Sequence, residues 1–264
     1  MSKIVFFDID GTLLDHDKNL PGTAKAAIQS LQSDGIYTAI ATGRAPFMFT
    51  HLLEELNMQS YVSFNGQYVV FENEVLYTNP LNETEMEKLE KEASAHGHSL
   101  VYLNEKTMKS SVSQDDLIEE SLGELKLAHP ESDPEFYKKN EIYQALLFGK
   151  QEQLDYLDGF DAFTFIRWHK HSVDVVPKFG SKAEGIKKMV SRLGFDMKDV
   201  YAFGDGLNDI EMLQEAGTGI AMGNAPAEVK QFADFVTDSV DADGIVRGLM
   251  AAGLLPETFP IPGR

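Results

Sequence analysis

Short apolar runs, each ending in a polar or glycine-bearing stretch, punctuate the first 80 residues. Lys3 to Ile9 is rich in Ile, Val and Phe, the pattern of a strand buried on both faces. Pro21 to Asp34 places Ala24, Ala27, Ile28 and Leu31 at helical spacing, with Gly35 as a stop. Ile36 to Thr42 predicts a second buried strand and Phe47 to Leu56 a second helix. Tyr61 to Phe64, Tyr68 to Phe71 and Glu74 to Tyr77 read as strands, with tight turns at Asn65-Gly66 and Asn73. Strand and helix in alternation favour a parallel sheet with helices on its faces.

The texture changes near Pro80-Leu81. Asn82 to His96 predicts a charged amphipathic helix, followed by strands at 99–103 and 107–112 and an acidic helix at 114–127. A Pro/Asp loop precedes strand 142–148, helix 151–157 and strands 164–168 and 172–176. That order describes a small α+β domain with a largely antiparallel sheet. From Ser181 the first texture returns: helix 182–193, strand 200–203, helix 209–216, strand 219–222, and helices at 225–232 and 244–252. The reading is therefore an α/β fold, a parallel Rossmann-like core sheet from 1–81 and 181–264, interrupted by an inserted α+β domain at 82–180. The Pro-rich tail 255–264 is expected to be irregular.

Composition narrows the function. The chain has 264 residues, 42 acidic against 23 basic, a formal charge of −19 and no cysteine. A field that negative argues against nucleic acid or an anionic membrane as partner. With no Cys there can be no disulfide, thiolate metal site or cysteine nucleophile, which suits a reducing compartment. No apolar run approaches the roughly 20 residues of a membrane span. The four apolar residues before Asp8 are too few for a signal peptide. A soluble cytoplasmic protein is expected, monomeric or weakly homo-oligomeric.

Two strand ends carry the candidate chemistry. Asp8-Ile9-Asp10-Gly11-Thr12 sits where open α/β sheets bind ligands, at the carboxyl end of the first strand. An EF-hand does not fit, because its glycine belongs at loop position six and Gly11 is fourth from Asp8. Gly204-Asp205-Gly206-Leu207-Asn208-Asp209 follows a second apolar strand. Alone it could be a helix-capping loop; paired with the first motif it makes four clustered carboxylates, which call for a hard cation such as Mg²⁺. Thr42-Gly43-Arg44 and Lys182 add the hydroxyl and cations that a phosphoryl group needs. Neither a P-loop nor a zinc-type cluster is present, and Gly217, Gly219 and Gly223 miss the dinucleotide spacing. Arg167 to His171, the densest basic and aromatic cluster, reads as a surface strand within the insertion.

D-x-D-G-T, a strand-end T-G-R, a downstream Lys and G-D-G-x-N-D, in this order, resemble the haloacid dehalogenase superfamily of phosphohydrolases. The insertion, the Phe64-Asn65-Gly66 turn and Ile220 to Ala225 (I-A-M-G-N-A) resemble its Cof-type branch, which carries a large α/β cap. Gln67 departs from it, since a small residue often follows Asn-Gly there. The resemblance implies a Mg²⁺-dependent phosphatase for small phosphorylated metabolites, with Asp8 as nucleophile forming an aspartyl-phosphate. It implies Asp10 as general acid and base, a role that needs a raised carboxyl pKa. Asp8, the Asp10 carbonyl and Asp205 would hold the metal, with Asp209 in support. Thr42 and Lys182 would hold the phosphoryl oxygens. Gly11, Thr12, Gly43, Arg44, Asn65, Gly66 and Asn208 would line the substrate side. A sugar phosphomutase and a non-catalytic Mg²⁺ and phosphate sensor are the rival readings.

Overall fold

The computed structural model describes residues 3–260; the last four residues of the expected irregular tail lie outside that range. The N-terminal segment runs β1 (Ile4–Phe7), α1 (Gly22–Ser33), β2 (Tyr37–Ala41), α2 (Thr50–Leu56), β3 (Tyr61–Ser63), β4 (Tyr68–Phe71) and β5 (Glu74–Thr78). Residues of the insertion form α3 (Glu83–Ala95), β6 (Ser99–Leu103), β7 (Met108–Ser110), α4 (Asp116–Glu124), α5 (Phe136–Lys139), β8 (Gln144–Phe148), β9 (Phe163–His169) and β10 (Ser172–Pro177). The C-terminal segment adds α6 (Lys182–Leu193), β11 (Val200–Gly204), α7 (Ile210–Glu215), β12 (Thr218–Ala221), α8 (Ala227–Lys230), β13 (Phe235–Val236) and α9 (Gly244–Ala251).

Two compact units result, one of residues up to Arg44, Phe49–Tyr77 and Ser181 onward, the other of Thr78–Gly180 with Ala45–Met48. The first holds an eight-stranded sheet ordered β13-β12-β11-β1-β2-β3-β4-β5. Its strands pair in parallel from β13 to β3, and β4 turns back antiparallel to β3. Alternation within β1 explains the layers. Val5 and Phe7 pack with Ile28 and Leu31 of α1, Leu52 of α2 and Val246 and Leu249 of α9. Ile4 and Phe6 face the other way, with Ile186 and Met189 of α6 and Met212 and Leu213 of α7. A strand apolar at every position is therefore buried on both sides.

The second unit has a five-stranded sheet, β7-β6-β8-β10-β9, antiparallel at each pairing. Its core joins Met86 and Leu89 of α3 to Leu100, Tyr102, Leu147 and Val175 of the sheet. The Arg167–His171 cluster works inside this unit. His169 Nδ1 lies 2.8 Å from Ser121 Oγ and its Nε2 3.3 Å from Glu124, while His171 Nε2 is 3.6 Å from Glu120. These contacts tie the β9–β10 hairpin to α4.

Differences from the sequence reading have physical causes. The expected helix 47–56 is a 3₁₀ turn at Pro46–Met48 followed by α2, because Phe49 leaves helical backbone at φ −131°. Its ring is fully buried, edge-on to Tyr61 at 5.5 Å. The expected helix 151–157 is two 3₁₀ turns; only Leu154 and Leu157 are buried, a spacing of three that suits the tighter turn. The four-residue α5 and two-residue β13 are too short to leave a periodic signal.

Candidate active site

Strand register fixes where the candidate residues emerge. Phe7 is in register with Ile40 of β2 and with Phe203 of β11, and Gly204 is in register with Ala221 of β12. Asp8, Thr42, Asp205 and the Met222-Gly223-Asn224 segment therefore leave the same edge of the sheet on neighbouring strands, where a parallel sheet places its ligand site.

Lys182 reaches this edge from α6. Ser181 caps that helix by accepting the Glu184 N–H at 3.2 Å, so Lys182 is its first residue. The helix dipole disfavours a cation there, and the side chain is fully buried. Two carboxylates supply the compensation: Nζ donates to Asp8 Oδ1 at 2.5 Å and to Asp209 Oδ1 at 2.6 Å. Burial pulls the ammonium pKa down, but the charges of Asp209 and Asp8 and their hydrogen bonds reverse this, and the net shift is upward. The other Asp209 oxygen accepts the N–H groups of Asp205 (2.9 Å) and Gly206 (2.8 Å). A Cβ at Gly204 would lie 2.6 Å from Asp209, so this loop can close round the carboxylate only with glycine there.

Asp8, Asp205 and Asp209 each bring a carboxylate oxygen within 4.8 Å of the others. Burial, then the charges of Asp209, Asp10 and Asp205, push the Asp8 carboxyl up to about 8 against the pull of Lys182. Asp205 is pushed up to about 6, by burial first and Asp209 second, against a hydrogen bond from Thr12 and the charge of Lys182. Carboxylates raised by burial and by one another's charge are relieved by a cation between them, and an all-oxygen donor set suits Mg²⁺. The residues fit that ion.

Asp10 corrects one expectation. Its carboxyl was expected to be raised. Burial does act in that direction, but the charge and hydrogen bonds of Arg44 and of Lys18 outweigh it, and the net shift is downward. Arg44 grips both oxygens, Nε to Oδ2 at 2.8 Å and Nη2 to Oδ1 at 2.6 Å, and Lys18 Nζ adds 2.7 Å to Oδ1. Fork-to-fork pairing holds a carboxylate ionised.

The remaining candidates form a second group. Thr42 is buried and its hydroxyl accepts the Arg44 N–H at 3.1 Å. Its carbonyl accepts the Asn65 N–H at 3.1 Å, and the Arg44 carbonyl accepts that of Phe64 at 3.3 Å. Asn65 and Gly66 have positive φ (50°, 97°) and the Gln67 N–H donates to the Phe64 carbonyl at 3.3 Å, so the expected tight turn at Asn65-Gly66 forms and links the antiparallel β3 and β4; Phe64 before it is also left-handed, at φ 52°. A Cβ on Gly66 would lie 2.0 Å from the Ser181 carbonyl, which seats the turn on the start of α6. Gln67, the departure noted above, is buried and donates to the Asn65 carbonyl at 2.9 Å. Asn208 Nδ2 lies 3.4 Å from Asn65 Oδ1, and Gly43 packs against the Asn65 amide, which would sit 3.0 Å from a Cβ there.

Two residues at this edge escaped the sequence reading as site residues, Lys18 and Asn224. Nothing periodic marks Lys18, which arrives from an exposed turn at φ 64°. Asn224 did carry a signal, since it follows the end of a buried strand, as Asp8 and Asp205 do.

Comparison with known proteins follows the same lines. Residues 5–249 match the model of the haloacid dehalogenase-like hydrolases. The Bacillus subtilis (strain 168) protein YkrA, named as a candidate phosphatase, is 50% identical over 254 residues, 96% of this chain and 99% of that protein. A hypothetical protein from Geobacillus kaustophilus HTA426 superposes at a TM-score of 0.92 with 54% identity, covering 97% of this chain and 100% of that one. The subclass IIB sugar phosphatase BT4131 superposes at 0.86 with 27% identity over 96% of this chain and 100% of its own. Among the described residues, no helix is long and apolar enough to cross a membrane.

Proposed function

The chain belongs to the haloacid dehalogenase-like hydrolase family, and within it we propose a Mg²⁺-dependent phosphatase of small phosphorylated metabolites, with Asp8 as nucleophile. The observation that carries this reading is the buried Lys182 held between Asp8 and Asp209 at 2.5 and 2.6 Å, with Asp205 completing the carboxylate cluster. Asp8 Oδ1 is fixed by the ammonium, which orients the carboxylate for in-line attack on phosphorus. Asp8 and Asp205 would hold the ion with the Asp10 main-chain carbonyl. Asp209, with both oxygens engaged, supports them by fixing Lys182 and the loop. A Mg²⁺ ion held there would screen the repulsion between the nucleophile and the phosphate dianion.

Lys182 and the Thr42 hydroxyl, which keeps its O–H as a donor, would bind the phosphoryl oxygens and offset developing charge. Attack forms the Asp8–phosphorus bond and breaks the ester bond, with a proton from Asp10 going to the leaving alcohol. The carboxylate of Asp10 then takes a proton from the water that attacks the aspartyl-phosphate, and phosphate and free Asp8 result. Arg44 and Lys18 hold Asp10 in the form that accepts this proton; the first half-reaction requires their grip to loosen. Asn65, Gly66 and Asn208 would face the substrate, and the sugar phosphatase relative favours a small polar leaving group. Phosphate release over a panel of sugar phosphates, nucleotides and phosphorylated cofactors, in Mg²⁺ and in EDTA, tests the reading. Activity unaffected by EDTA, or absent throughout, would count against it.

Asp10→Asn should slow an alkyl phosphate by at least about tenfold more than p-nitrophenyl phosphate, whose leaving group needs no proton. Equal losses on the two substrates would remove Asp10 from the acid role.

The carboxylate cluster also sets a pH dependence of stability. Asp8 and Asp205 bind protons more tightly folded than unfolded, so their contribution is present below about pH 4 and lost as pH rises through about 6 and about 8. Metal-free protein should therefore melt at falling temperatures between pH 5.5 and 8, and the rise in Tm on adding Mg²⁺ should grow over that interval. A Mg²⁺ shift equal at pH 5.5 and pH 8, by thermal melts, would contradict the assignment of these carboxylates to the ion.

A further inference from the structure

Asp205 is not secured by its own loop alone. Its carboxylate accepts two side-chain hydrogen bonds, from Thr12 Oγ1 on Oδ1 at 3.2 Å and from Asn224 Nδ2 on Oδ2 at 3.1 Å. Asn224 is itself held at both ends. Nδ2 also donates to the Gly11 carbonyl at 2.8 Å, and Oδ1 accepts the Val240 N–H at 3.0 Å. These partners fix the amide orientation, because a flipped amide would set oxygen against two oxygens and N–H against N–H. Gly11 makes the approach possible. At φ +79° it would place a Cβ 2.2 Å from Asp205 Oδ2, so the carboxylate lies directly on backbone.

We propose that Asn224 is a positioning residue of the cation site: it locks the Asp205 carboxylate to the loop that follows Asp8, without itself contacting the ion. The proposal rests on the reading of Asp205 as a Mg²⁺ ligand. One side chain at the end of β12 thereby couples the D-x-D-G-T loop, the G-D-G-L-N-D loop and the turn at Val240–Ala242. Its side-chain oxygen is turned to the Val240 N–H, and the atom it presents to Asp205 is the amide nitrogen, a donor that cannot ligate a cation. Outer partners of metal ligands act by orientation, and their loss weakens the metal about 10- to 100-fold.

Calorimetric titration of Mg²⁺ into metal-free protein, without substrate, reads this directly and independently of turnover. Asn224→Ala should raise the Mg²⁺ dissociation constant about tenfold or more, while Asp205→Asn should abolish binding. Asn224→Ser keeps a polar group but is one atom shorter, with one donor for two acceptors, and should fall between wild type and Asn224→Ala. It also carries the test if the alanine variant does not fold, as checked by circular dichroism and melting in EDTA. Affinity within twofold of wild type in a folded Asn224 variant overturns the proposal, even if its Tm is lowered. Wild-type affinity in Asp205→Asn, or no Mg²⁺ binding by wild type, removes the cation reading and the proposal with it. Phosphate release from p-nitrophenyl phosphate, assayed in parallel, shows separately whether the phosphatase reading stands.

Discussion

Asp8→Asn should abolish phosphate release, with a loss on the order of 10⁴-fold or more, while the protein stays folded. The amide matches the carboxylate in shape but has neither the charge nor the oxygen nucleophile needed to displace the leaving group. Stability should not suffer. Burial and three neighbouring carboxylates push Asp8 up to about 8, so the metal-free fold already favours an uncharged group at this position. In EDTA at pH 8 the variant should melt no lower than wild type. Turnover within about tenfold of wild type on p-nitrophenyl phosphate, with contaminating phosphatase excluded, would sink the nucleophile assignment.

Lys182→Met should cost both activity and stability, and the two losses have one cause. Its ammonium lies within hydrogen-bonding distance of both Asp8 and Asp209, and Asp209 has no exposed surface. Removing one partner of a buried ion pair costs about 3–5 kcal/mol, or roughly 6–20 °C in Tm for a unit of this size. Loss of a preorganised positive group at the phosphoryl oxygens should lower turnover on the order of 10²- to 10³-fold. The stability loss should be largest at pH 8 and shrink as pH falls, because Asp8, pushed up to about 8, takes on a proton and sheds its share of the uncompensated charge. A variant melting within 2 °C of wild type at pH 8, on the scale of those estimates, would mean that Lys182 does not hold the cluster together.

The parallel core was legible because its strands are apolar at every position. Ile4 to Phe7 and Val200 to Phe203 cannot expose either face, and only a sheet covered by helices on both sides satisfies them. Strand ends were legible for the same reason: a run of apolar residues that stops at Asp8 or Asp205 marks where the sheet ends and chemistry can begin. What could not be read was whatever depends on approach through space. Phe49 breaks a helix to bury its ring, and Gly66 is seated against the Ser181 carbonyl, more than 100 residues away in sequence.

The protonation of Asp10 was misjudged by the same limit. The raised carboxyl was expected from the acid role that the resemblance implies and from the pairing with Asp8, two residues before it. The residues that decide it, Arg44 and Lys18, arrive from β2 and from an exposed turn. The net charge of −19 was likewise a poor guide to the site. Here Lys182, Arg44 and Lys18 sit among four carboxylates, and a divalent ion would make the pocket attractive to a phosphate inside a repulsive whole.

Acid-quench trapping with ³²P-labelled p-nitrophenyl phosphate tests the central claim most directly. Wild-type protein mixed with this probe and Mg²⁺, and quenched within milliseconds, should carry label on the peptide containing Asp8, releasable by hydroxylamine as an acyl phosphate. Asp8→Asn should carry none. Steady phosphate release by wild type with no labelled protein at any quench time, or label that persists in Asp8→Asn, would contradict the account.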